Sequence, residues 1–114
     1  MAVARFDVMR IIPFGTLTAF YQQLGSPLTR NWRMFKLTNT TNVNVLVSFD
    51  GTNDNIFIPA GSFTLYDLST NAPPISQSDN FVLALQTQFN YKVESGTATE
   101  GGVYLEACYA RGVP

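Results

Sequence analysis

The chain has 114 residues, enough for one two-layer core and little beyond it. Only 13% of its positions are charged, against about 25% in an average domain, and the net charge is −1. The seven basic residues are scattered, which excludes an electrostatic grip on nucleic acid, and the lack of histidine removes the commonest general base and metal ligand. A single cysteine excludes an intrachain disulfide and every paired-cysteine zinc pattern. Asn, Gln, Ser and Thr occupy 33 positions instead. Such neutral hydrogen-bonding surfaces suit sheets and broad contacts, where few ionic groups have to be desolvated.

Ala2 to Ile12 reads as an extended arm or an edge strand, with residues 1–14 set apart from a domain at 15–114. Arg5, Asp7 and Arg10 interrupt its apolar run, so a signal sequence is not expected there. No apolar run approaches the roughly 18 residues needed to span a membrane. The arm is expected to be separable, so that removal of residues 2–12 leaves a folded domain. Thr16 to Gln23 predicts a strand, with a short helix over Phe20 to Leu24 as the alternative.

Arg33 to Thr38 predicts the next strand, and Asn39-Thr40-Thr41-Asn42 has the chemistry of a turn. Val43 to Phe49 alternates cleanly, with Val43, Val45, Val47 and Phe49 on one face. Asp50-Gly51-Thr52-Asn53-Asp54-Asn55 crowds oxygen ligands as calcium loops do. The spacing fails for an EF-hand, because Gly is misplaced and the terminal Glu is missing. A strand-to-strand turn is predicted instead, with Asp50, Asn53, Asp54 and Asn55 placed to touch a neighbour. No metal or other cofactor is expected. Ile56 to Ile58, a corner at Pro59-Ala60-Gly61, and Ser62 to Leu68 follow. Residues 69–80 predict a loop, and Phe81 to Leu85 a strand covered on both faces. Gln88 to Val93 predicts another strand, Glu94 to Gly102 a hairpin loop, and Val103 to Ala110 the closing strand.

Many short strands with no convincing helix predict an all-β, single-domain β-sandwich, jelly-roll-like, with an N-terminal extended arm. The closing strand carries apolar residues on both faces, Tyr104 and Cys108 among them. A small sandwich covers both faces of such a strand only with an arm, a loop or another subunit, which predicts a homo-oligomer. The carboxylates Glu94, Glu100 and Glu106 lie in or beside one hairpin, but a core this small leaves little volume for a substrate cleft. No enzymatic activity is expected.

The stretch VLVSFDGTNDNIFIPAGSFTLYDLSTN, followed by TQFNYKV, ESGTATEGG and VYLEACYA, resembles small virion proteins of tailed bacteriophages. The nearest resemblance is to head decoration, or cement, proteins of short-tailed phages, and it covers about two-thirds of the chain. It implies a jelly-roll-like sandwich on the outer capsid surface, made in the host cytoplasm, with the major capsid protein as partner. It further implies self-association, a dimer being favoured over a trimer, with no nucleic-acid or membrane partner. Arg5, Phe6 and Arg10 of the arm are then expected to contact the shell or a partner subunit. Two alternatives stay open: a tail, collar or fibre component, and a carbohydrate-binding module displaying Trp32 with some of Tyr66, Tyr91, Tyr104 and Tyr109.

Overall fold

The computed structural model describes residues 2–68 and 83–112. Its strands are β1 (Ala2–Phe6), β2 (Arg10–Pro13), β3 (Gln22–Gln23), β4 (Trp32–Asn39), β5 (Val45–Ser48), β6 (Ile56–Ile58), β7 (Ser62–Asp67), β8 (Asn90–Val93) and β9 (Gly102–Gly112). They form two antiparallel sheets. The front sheet runs β7-β4-β9, with β1 and β2 in succession along the far side of β9; the back sheet runs β3-β8-β5-β6. The fold is an all-β, single-domain β-sandwich, as the alternation predicted.

The core lies between the sheets and is built from inward faces of period two. Val45 and Val47 of β5, Phe35 and Leu37 of β4, and Val103 and Leu105 of β9 are all buried. Phe89, just before β8, is the hub: its ring centroid lies 5.6 Å from Trp32, 5.4 Å from Phe35 and 5.0 Å from Phe49. These tilted and edge-on contacts match the quadrupoles of the rings. Asn39 is fully buried where β4 ends. Its Nδ2 donates to the carbonyls of Val43 (2.8 Å) and Ile58 (3.0 Å), while its Oδ1 accepts the N–H of Thr41 (2.9 Å). This one amide sets the predicted turn at 39–42 and ties it to β6.

Two stretches depart from the sequence reading, and for a third the structure takes one of two alternatives. Thr16 to Gln23 is a 3-10 turn at Phe14–Thr16 followed by irregular chain, with only Gln22–Gln23 in a strand. Thr18 Oγ1 bonds locally to Phe20, accepting its N–H and donating to its carbonyl, and this turns the chain off the sheet. The predicted strand Phe81 to Leu85 is represented by one bridge, Leu83 to Trp32. Beyond it the Leu85 N–H is taken by Asn31 Oδ1 and the Gln86 N–H by the Leu28 carbonyl, so Ala84 and Leu85 turn outward. Phe81, Val82 and the predicted loop at 69–80 lie outside the described residues. Third, of the two readings of Ala2 to Ile12, extended arm or edge strand, the structure takes the edge strand. Phe6 pairs with Cys108 and Arg10 with Leu105, so residues 7–9 oppose Glu106 and Ala107 in a bulge. β1 and β2 are therefore one bulged edge strand hydrogen-bonded along β9.

Candidate functional site

The register of the front sheet fixes which side chains share its outer face. Phe63, Thr38, Tyr104 and Ile11 form one cross-strand row. Leu65, Lys36 and Glu106 form the next, and Asp67, Met34, Cys108 and Phe6 the third. This face is apolar and open: Phe6 is 83% exposed, Phe63 60%, Leu65 54% and Ile11 52%. A shallow depression of about 150 Å³ lies between Phe6 and Leu65, floored by Met34, Cys108, Lys36 and Glu106. Lys36 holds its ammonium 4.6 Å from the Phe63 ring centroid. Neither Lys36 nor Glu106 makes an ion pair among the described residues. Cys108 is buried in the face, and this burial, with Asp67 nearby, pushes its thiol pKa up. Burial in an apolar face is the setting of a packing thiol.

β7 supplies the large side chains because of where its other face goes. Tyr66 stacks on Phe35 at 5.1 Å, so Tyr66 and Thr64 turn toward the core side and Phe63 and Leu65 turn to solvent. Of the residues singled out in the sequence, Phe6, Tyr104 and Cys108 come together on this face. Phe63, Leu65, Ile11 and Lys36 were missed, and Glu106 was weighed only as a hairpin carboxylate. Ser62-Phe63-Thr64-Leu65-Tyr66 does alternate, which is a readable signal for a strand with two different faces.

The other singled-out residues lie elsewhere. Arg5 is exposed on the edge strand. Arg10 turns inward: its Nη1 donates to the carbonyls of Leu24 (2.9 Å) and Ser26 (2.7 Å), and its guanidinium lies 5.6 Å from the Trp32 ring. Burial lowers the Arg10 pKa, opposed by the charge of Asp7. Arg10 is thus a clamp on the loop after β3 and not a free contact residue.

The loop after β5 satisfies itself. Asp50 accepts the N–H groups of Thr52 and Asn53 (both 2.8 Å), Asn53 Nδ2 (2.7 Å) and Ser48 Oγ (2.8 Å). Those bonds hold its carboxyl well below the usual carboxylate range. Asp54 accepts the Tyr21 hydroxyl and lies 3.6 Å from Lys92 Nζ. Desolvation first, then that bond and the two nearby carboxylates, raise the Tyr21 pKa. Asn55 Oδ1 accepts the Phe49 N–H at 2.9 Å. With Asp50 and Asn55 bonded in this way and Asp54 held by Tyr21 and Lys92, the loop is a hydrogen-bonded turn. Among the described residues no cluster of three or more His, Cys, Asp or Glu is placed to hold a metal.

The aromatic platform expected of a sugar-binding surface does not form around Trp32. Trp32 and Tyr91 are both buried in the core, which removes the ring on which that alternative chiefly stood. Comparisons with family models, with curated proteins and with solved structures returned no match.

Proposed function

We propose that the protein is a non-enzymatic phage decoration protein, binding the outer surface of the mature head across boundaries between major-capsid-protein subunits. The observation that carries this reading is the bulged edge strand, which leaves Val8 82% and Met9 45% exposed beside an open apolar face. Large side chains concentrated on one face of a small, charge-poor sandwich suit a protein that works within an assembly. The resemblance of the segment from Val43 to Ala110 supplies the phage head as the setting. The mechanism is reinforcement by linkage: whatever binds the assembled shell and not its separated subunits stabilises the assembly by mass action.

The contact with the shell falls to the bulged edge strand. Val8 and Met9 stand exposed at the bulge, and the outer side of an edge strand offers unpaired main-chain donors and acceptors for strand addition. Cosedimentation of the purified chain with empty mature heads, and separately with tails, of the phage that encodes it tests the reading. Saturable retention on heads is expected, with occupancy reduced about tenfold, a loss near 1.4 kcal/mol, by Val8→Asp combined with Met9→Asp. Retention on tails alone would reassign the chain to a tail, collar or fibre role. Retention on neither would sink the virion reading.

A further inference from the structure

We propose that the outer face of the front sheet is a self-complementary interface whose occupant is a second copy of this chain. This inference does not rest on the head-decoration reading; it needs only the arrangement of the face.

The columns of that face, in the order β7, β4, β9 and the β1–β2 edge, are balanced about the seam between β4 and β9. Lys36 and Glu106 are register partners across that seam, equal and opposite in charge. Consider a two-fold axis lying between two facing sheets, parallel to the strands and directly over the seam. It exchanges the columns, so Lys36 of each copy stands opposite Glu106 of the other. The same operation sets Phe63 opposite Ile11 and Met34 opposite Cys108, apolar on apolar, and places Asp67 opposite Phe6 at the margin of the face. A two-fold interface requires this kind of self-complementarity, and a face chosen for an unrelated partner does not. Charge is the deciding feature. A cation and an anion side by side at the centre of an apolar face, neither in an ion pair among the described residues, are costly to bury against an uncharged surface. A second copy pairs both at once. The depression of about 150 Å³ beside them gives the opposing side chains room to interdigitate at the roughly 10 Å spacing of stacked sheets.

Sedimentation velocity of the full chain over a dilution series, with charge-reversal variants, tests the proposal. The wild type is expected to dimerise. Lys36→Glu and Glu106→Lys each place like charges opposite each other and should raise the dissociation constant on the order of a hundredfold. Each also makes a like-charge neighbour within its own chain, so melting curves accompany them. Mixing the two variants in equal amounts should restore dimers, because the mixed pair regains both opposite-charge contacts. A second measurement needs no variant: zero-length carbodiimide coupling of mixed light and heavy isotope-labelled chains should yield a light-to-heavy Lys36–Glu106 link. A wild type that stays monomeric throughout, single variants that dimerise as well as wild type, folded variants that do not recover on mixing, or coupling only within chains would each overturn the proposal.

Discussion

The indole N–H of Trp32 donates to Asp7 Oδ2 at 2.9 Å, so a carboxylate at the bulge of the edge strand secures the largest side chain of the core. Trp32 is 1% exposed, and its nitrogen has no access to bulk water as a substitute partner. Asp7 faces inward by the alternation that follows Phe6, its N–H still bonded to the Ala107 carbonyl at 3.0 Å, and the extra residue after it turns Arg10 to the same side. Asp7→Ala should cost about 1–3 kcal/mol in urea unfolding followed by the fluorescence of the single tryptophan. Asp7→Asn keeps an acceptor and should cost less. A chain lacking residues 2–12 loses this bond, the Arg10 clamp and the pairing along β9, and is expected not to fold cooperatively.

Gly101 should be the least replaceable glycine. Its φ is +80°, and a Cβ there would lie 2.2 Å from the Thr40 carbonyl oxygen, a backbone atom that cannot swing aside. Gly101→Ala is therefore expected to cost about 2–5 kcal/mol, from left-handed strain and overpacking together. Gly15 has open space around it and an ordinary φ. Gly15→Ala should fall within about 0.5 kcal/mol of wild type or stabilise slightly. Equal effects at the two positions in chemical denaturation would contradict the packing described.

Asp50 makes stability depend on pH on the acid side. Its folded pKa is depressed, so its contribution is present above the ordinary carboxylate value of about 3.9 and is lost as pH falls below it toward the folded value. The group is solvent-exposed, so the effect is small. Melting temperatures compared between roughly pH 6 and pH 3 should fall less for Asp50→Asn than for wild type. Excess EDTA should leave both melts unchanged.

Much of the architecture was readable in the residues, and the exceptions have physical reasons. The alternation of Val43, Val45 and Val47 places all three in the core, and Asp50-Gly51 marks a turn by its own backbone chemistry. The course of Arg10 was not readable, because it depends on where tertiary folding brings the Leu24 and Ser26 carbonyls. The outward turn of Phe63 and Leu65 was hidden for a similar reason. β7 has a ring on either side, and only the stacking of Tyr66 on Phe35 decides which side faces solvent. The two-sided apolarity of the closing strand was legible as well: Tyr104 and Cys108 lie on the outer face of its sheet.

Removing the large side chains of that face should barely affect the isolated chain. Phe63→Thr together with Leu65→Thr keeps strand propensity and gives up little beyond the Lys36 contact with the Phe63 ring, about 0.5–1 kcal/mol. The same pair should shift the sedimentation profile toward monomer. A loss of several kcal/mol in the melt would place these residues in the core instead.

Hydroxyl-radical footprinting across a dilution series shows directly whether the outer face of the front sheet is covered when the protein assembles. Oxidation of Phe6, Phe63 and Leu65 should be suppressed at high protein concentration and rise on dilution. Phe57, 48% exposed on the back sheet, should be oxidised equally throughout. Unchanged oxidation of all four residues at every concentration would contradict the account.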